Sequence, residues 1–343
     1  MLSAVSTATP TISPGFFDRL CRGYRSFLEG FEEPSEESMW SSIGDRRRNL
    51  HDALMAGDSA AINLLCDPRQ TMMYWGVDDI HAREPLDTFH QEGRAAQAVE
   101  AITQLAYIFG LSRWPNPEGG TRGKPPAMPS FEEILTGLEA YRGLNVIFPN
   151  PFAGEGGLAT TRGIAGIRAV NAIYQAWLLK QIAQRSPGKH ILEIGAGIGR
   201  TAFYAHRFGV RNYTIVDLPM TLIGQAVFLG LTLGEDVLRF GNEAPSDGTI
   251  ELLSPRQFEA DARRFEIVLN ADSIPEMDYA TAVAYADRMR RDRSYFLSIN
   301  HEANGHRVFE LVPPAAHISR SPYPLRNGYL EERFDFSLIP FSP

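Results

Sequence analysis

His190-Ile-Leu-Glu-Ile-Gly-Ala-Gly-Ile-Gly-Arg200 decides the fold of this chain. The apolar start reads as a buried strand, and the glycines open a turn into a helix. Gly195, Gly197 and Gly199 let backbone and ligand approach where any Cβ would collide. The next strand-like run, Tyr213-Thr-Ile-Val-Asp-Leu-Pro219, ends in the carboxylate of Asp217. An acid about 20 residues beyond such a turn is placed to accept hydrogen bonds from ribose hydroxyls. The pair predicts a nucleoside-bearing cofactor over the carboxyl ends of a parallel sheet.

The spacing narrows the cofactor. A dinucleotide fingerprint, GxGxxG, puts its third glycine five positions after the first, and here that position is Arg200. Glu193 lies two residues before Gly195, and a carboxylate there is awkward for a pyrophosphate, which needs donors and no adjacent anion. A cofactor with a cationic amino acid end tolerates it. The pattern Glu-x-Gly-x-Gly-x-Gly resembles motif I of the class I S-adenosylmethionine (SAM) methyltransferases. That resemblance implies a Rossmann-like α/β sheet with helices on both faces.

Composition sets bounds. The chain has 343 residues, 44% hydrophobic and 22% charged, enough for a full core without staples. Cys21 and Cys66 are too few for a disulfide framework or a zinc site, which suits a reducing compartment. The net charge of −8 argues against nucleic acid as substrate, and Arg46-Arg47-Arg48 reads as a solvated helix face. Arginine supplies all basic residues except Lys124, Lys180 and Lys189, a hint of a GC-rich bacterial source. No run of 18 apolar residues occurs and no secretory pattern opens the sequence, so a soluble, cytoplasmic protein without membrane partners is expected.

Residues 1–14 are rich in Ser, Thr and Pro and are expected to be disordered. Residues 15–144 read as a mainly helical region, a cap or an oligomerisation surface, with Phe17, Leu20, Tyr24 and Leu28 near a 3.6 period. Turns are expected at Asp67-Pro68 and Gly76–Asp79, and a linker at Trp114–Pro126. Ser130 with Glu133 forms a capping box that starts another helix. The α/β domain is placed at residues 145–343. It begins with a strand near Asn145–Phe148, a glycine-rich loop to Gly157 and a long helix stopped by Pro187-Gly188. Helices are expected over Arg200–Phe208, Met220–Leu233 and Tyr279–Arg291. Strands are expected at Tyr213–Val216, in a third region shared by Val237–Phe240 and Ile250–Leu253, at Phe265–Asn270 and at Ser294–Asn300. The tail from Val312 reads as mostly irregular, with Phe334–Leu338 as a candidate final strand.

Ligands of a doubly wound sheet sit outside the carboxyl ends of its strands. Four polar segments meet that condition: the glycine turn, Asp217, Asn270-Ala-Asp-Ser-Ile-Pro-Glu-Met277 and Asn300-His-Glu-Ala-Asn304. With Phe148-Pro-Asn-Pro-Phe152, Arg168-Ala-Val-Asn-Ala-Ile-Tyr174 and Val216-Asp-Leu-Pro219, they resemble the bacterial putative sugar O-methyltransferase family over residues 145–302. The resemblance implies methyl transfer from SAM to a hydroxyl of a sugar or sugar-like metabolite, in natural-product biosynthesis, with release of S-adenosylhomocysteine.

The residues that would carry this are specific. Glu193, Gly195, Gly197, Gly199, Arg200, Asp217 and Leu218 would hold the cofactor, with Asn270 and Ala271 beside them. Ser254 and Gln257 would contact its adenine. Arg168 and Tyr174 would either reach its carboxylate, for which a guanidinium fork is well shaped, or be a surface arginine and a core tyrosine. A sugar hydroxyl needs a base within hydrogen-bond reach. His301 is the first candidate because imidazole titrates near operating pH. Glu276 and Asp272 are its rivals, and His301 as a mere strand end is the plain alternative. Tyr74 and Trp75, followed by Gly76, would wall a sugar ring or pack in the core. Asp272, Glu276, His301 and Glu302 are a possible Mg²⁺ set, although no compact motif such as HExxH occurs. Other SAM acceptors (an amine, a keto acid, a polyketide hydroxyl), an NAD(P)-dependent oxidoreductase and a non-catalytic SAM-binding protein are the alternatives.

Overall fold

The computed structural model describes residues 3–32, 47–71, 73–74, 78, 80, 87–113, 128–185 and 189–339. Arg46, Trp75-Gly76, the Trp114–Pro126 linker and Pro187-Gly188 lie outside the described residues. Eleven strands are described: β1 (Ser3–Val5), β2 (Gly156–Thr160), β3 (Gly163–Ala165), β4 (Ile191–Ile194), β5 (Tyr213–Val216), β6 (Leu238–Phe240), β7 (Ile250–Leu253), β8 (Ile267–Ala271), β9 (Tyr295–His301), β10 (His317–Pro322) and β11 (Tyr329–Asp335). The last eight build one sheet in the order β10-β11-β9-β8-β4-β5-β7-β6. Strands β4 to β9 pair in parallel, and β11 runs antiparallel to both β9 and β10. The chain leaves β4 for β5 on one side and later returns to β8 on the other. That makes the end of β4 the topological switch point, where a crevice opens.

Both faces of this sheet are buried, so its strands read as continuous apolar runs. Side chains alternate between two cores. Ile191, Ile215, Leu252 and Leu269 face one cluster, while Leu192, Val216, Leu253 and Val268 face the other. The first face is covered by α6 (Ile167–Arg185), α7 (Arg200–Arg207) and α8 (Pro219–Leu233), the second by α9 (Pro255–Ala260) and α10 (Tyr279–Asp292). This is the expected Rossmann-like α/β sheet with helices on both faces.

The amino-terminal region departs from expectation. Residues 3–5 are strand rather than disordered, because β1 pairs antiparallel with β2. Its helices include α1 (Pro14–Leu28), α2 (Arg48–Ala56), α3 (Ala60–Cys66), α4 (Thr88–Ile108) and α5 (Phe131–Arg142). They bury their apolar faces in the core that also covers the sheet. Two close approaches lock α1 in place. A Cβ on Gly23 would lie 2.2 Å from Phe240, and one on Gly230 of α8 would lie 2.5 Å from Phe16. A helix held this tightly is a layer of the α/β body, with its apolar face already spent inside. The Ser130–Glu133 capping box is present as read.

Three other readings change. The expected strand at Asn145–Phe148 is a single bridge from Phe148 to Gly163, and the expected glycine-rich loop instead contains β2 and runs on into the β2–β3 hairpin. Leu238–Phe240 and Ile250–Leu253 are two separate strands that pair in parallel, and Val237 ends a 3-10 turn before the first. The tail forms the β10–β11 hairpin, and Phe334–Leu338 covers the end of β11 and a short 3-10 turn. No described helix is long and apolar enough to cross a membrane.

Candidate active site

The switch point opens into a cavity of about 1850 Å³. Its floor is the glycine turn between β4 and α7. All three glycines have left-handed φ, +67° at Gly195, +60° at Gly197 and +91° at Gly199, a region costly for residues with a Cβ. Gly195 is also confined from outside, since a Cβ there would sit 2.1 Å from Ser273 Oγ. Ser273 donates to the Ile194 carbonyl at 3.0 Å, which seats the loop after β8 against the turn.

Asp217 follows β5 and faces the same turn. Its carboxylate accepts from the Ala196 amide at 3.1 Å, the Leu218 amide at 2.8 Å and Gln225 Nε2 at 2.7 Å. Burial nevertheless pushes its carboxyl up to about 6. Gln225 also donates to the Gly197 carbonyl at 3.0 Å, so one buried amide ties the acid to the turn. Gln225 escaped the sequence reading; its signal was a lone amide in the apolar run of α8.

Glu193 is 3% exposed and still lines the cavity. It accepts a hydrogen bond from the Tyr213 hydroxyl at 2.8 Å. Burial raises its carboxyl to about 7, against the opposing Tyr213 bond and with the Asp217 charge adding to the rise. Glu276, in the 3-10 turn Ile274–Glu276, also faces the cavity and is pushed to about 7 by burial and then by Asp272. Three carboxyls with raised pKa around one cavity favour a ligand that brings positive charge.

The remaining predicted residues divide. Leu218, Ala271, Asp272, Arg168 and His301 line the cavity. Arg200 also reaches it, but its guanidinium is committed to Asp78 at 2.7 Å and Glu155 at 2.8 Å. That buried triad ties α7 to the preceding segments. Four expectations fail. Ser254 and Gln257 cap α9, and Gln257 turns to Ser26 Oγ at 3.0 Å, so neither lines the cavity where an adenine contact would be made. Asn270 is fully buried and bridges the Ile194 carbonyl at 2.9 Å, Ser273 Oγ at 2.6 Å and Asn300. Tyr174 faces away from the turn, donating to Glu331 at 3.2 Å and stacking on Trp177. In each case a nearer protein partner claimed the polar atoms.

Tyr74 is core, with its hydroxyl on the Gly224 carbonyl at 3.0 Å and its ring against Phe152. Among the described residues no cluster of three or more His, Cys, Asp or Glu is arranged to hold a metal ion. Asp272 pairs with Arg326 at 2.9 Å and Glu302 with Arg320 at 2.6 Å, which takes both from the possible Mg²⁺ set. His301 ends β9, and its Nδ1 accepts from the Ala303 amide at 3.1 Å. With that bond made, a neutral ring carries its proton on Nε2 and presents a donor to the cavity.

No protein-family model and no curated protein matches the chain. Among solved structures the chain is similar to the mitomycin 7-O-methyltransferase MmcR, with 14% identity over 48% of this chain and 54% of that one and a TM-score of 0.34. It is similar to EvdMO1 at 16% identity over 51% and 42% of the two chains, with a TM-score of 0.34. An O-methyltransferase family protein from Burkholderia thailandensis matches at 12% identity over 73% and 97%, with a TM-score of 0.32. The chain thus spans about half the length of the first two. The fold described above rests on this chain's own strand order and register.

Proposed function

We propose that this chain is a SAM-dependent methyltransferase that methylates a hydroxyl of a sugar or sugar-like metabolite and releases S-adenosylhomocysteine. The observation that carries the reading is the meeting of Asp217 with the three-glycine turn at the switch point, tied by Ala196 and Gln225. Oδ2 of Asp217 already accepts from Ala196 and Gln225, whereas Oδ1, which accepts only the Leu218 amide, keeps lone-pair capacity for a ribose hydroxyl. The acidic lining, with Glu193 and Glu276 beside Asp217, suits a cofactor whose sulfonium and ammonium are cationic. A bound pyrophosphate would meet those same charges unfavourably, which speaks against a dinucleotide.

When bound, SAM supplies an electrophilic methyl group. The chain's own residues then have to align the acceptor and take its proton. Glu276 fits the base better than His301 does. Its carboxyl titrates near neutral pH, which balances the ionised fraction against proton affinity, and it makes no hydrogen bond to another described residue. His301, with Nδ1 occupied, would donate from Nε2 and orient an acceptor oxygen. Arg168, at the start of α6, remains the candidate for the cofactor carboxylate.

The test is calorimetry with SAM, S-adenosylhomocysteine and NAD in parallel on wild type and Asp217→Ala. Wild type should bind the first two and ignore NAD. Asp217→Ala should lose about 10- to 100-fold in affinity, as expected from one hydrogen bond to a charged acceptor at ~1.5–3 kcal/mol. Unchanged affinity in the variant would sink the ribose assignment. Sugar, amine and keto acid acceptors, scanned with mass detection, then identify the acceptor class.

A further inference from the structure

The turn that joins β10 to β11 was unforeseen, and it lines the cavity. Tyr323, Leu325, Arg326 and Tyr329 all contribute to the wall. Arg326 is its charged member. Its Nη1 donates to Asp272 Oδ2 at 2.9 Å, and its guanidinium lies 4.0 Å from the centre of the Tyr329 ring. Asp272 is held at φ +72°, one of only three non-glycine residues with positive φ among those described. Its strained backbone is therefore anchored through a side chain from the β10–β11 turn.

We infer that Arg326 is a positioning residue of the acceptor pocket: by bonding Asp272 it engages that carboxylate and leaves Glu276 as the group that accepts the proton. This rests on the reading of Glu276 as base given above. Asp272 and Glu276 lie four residues apart and line one cavity, so the Asp272 charge bears on Glu276 and a cation bonded to Asp272 offsets it. The charged groups that face Glu276 are Asp272 after β8, Arg168 on α6, Arg326 in the hairpin turn and Asp217 after β5. His301 and Tyr329 line the same cavity. Arg326 is bonded to the Asp272 carboxylate. Its planar fork, packed on the tyrosine face, gives that bond one direction.

The experiment uses the full chain with ¹³C-carboxyl-labelled glutamate, the Glu276 signal being assigned by its loss in Glu276→Gln. Its titration midpoint is followed in wild type, Arg326→Ala, Arg326→Gln and Arg326→Lys. Loss of the charge in Arg326→Ala and Arg326→Gln should raise the midpoint by about half a pH unit to one unit, at the low end because Arg326 is partly exposed. Arg326→Lys should leave it near the wild-type position. A midpoint unmoved in a folded Arg326→Ala overturns the inference. If that variant fails to fold, Arg326→Gln, which keeps a polar donor group without the charge, decides the same question by the same shift. Calorimetry with S-adenosylhomocysteine on the wild-type sample separates the two claims: no binding there defeats the methyltransferase reading, while the midpoint still reports on Arg326.

Discussion

Glu193→Gln should stabilise the ligand-free protein at pH 8 and do far less at pH 5. Glu193 is almost fully buried, and its carboxyl is raised from an ordinary 4.5 to about 7. A raised carboxyl pKa means the folded state holds the proton more tightly than the unfolded state does. Ionisation therefore costs stability. The cost is absent below about pH 4, grows as pH rises and is complete above about pH 7. At about 1.36 kcal/mol per pH unit, the full cost is about 3 kcal/mol, with only about 1 kcal/mol of it present at pH 5. Glutamine removes the charge and can still accept the Tyr213 hydroxyl, so little packing or hydrogen bonding is lost. The other carboxyls are common to both proteins, so their own titration largely cancels in the difference between them. Urea unfolding of both proteins at pH 5 and pH 8 measures the effect. With m near 3 kcal/mol/M, the midpoint gap should approach about 1 M at pH 8 and shrink to about a third of that at pH 5. A gap equal at both pH values, or a variant less stable at pH 8, would refute the reasoning that Glu193 is a destabilised anion awaiting a cationic ligand. The same substitution should weaken SAM more than S-adenosylhomocysteine, because only SAM carries the sulfonium charge.

Two further outcomes follow from the site. Glu276→Gln should lower kcat by about 10²–10⁴ with little change in S-adenosylhomocysteine affinity, and the acid limb of the wild-type rate profile should fall near pH 7. His301→Ala, assayed on the same acceptor, should cost less, about tenfold; a larger loss for His301 than for Glu276 would reverse their roles. Arg200→Ala should leave Asp78 and Glu155 buried without their cation and cost about 3–5 kcal/mol in unfolding free energy. A loss under about 1 kcal/mol would show that the triad is dispensable.

The α/β frame and the cofactor turn were legible in the sequence because their signals are local. Gly195, Gly197 and Gly199 sit where backbone sign alone demands glycine, and β5 has the boundaries read from Tyr213–Val216. Ser130 and Glu133 cap a helix with atoms three residues apart. What failed depended on partners distant in the chain. Ser3–Val5 looked disordered because β2, which completes it, lies some 150 residues away. Asn270 and Tyr174 looked like ligand contacts because nothing in the sequence reveals the Ile194 carbonyl or Glu331 as their partners; Ser254 and Gln257 are the exception, since their spacing is itself a local capping-box signal.

Sequence by itself determined the strand-turn-helix, the acid after the next strand and the polar loops at the sheet edge, since each follows from residue type and short-range spacing. Only the tertiary structure decided which of those polar groups face open space and which are spent on one another. It also brought Arg326 from the far end of the chain to Asp272, and it buried Glu193 deeply enough to raise its pKa. The physical reason is that a side chain's charge and reach are fixed by its identity, whereas its solvation and its partners are fixed by what the fold packs around it.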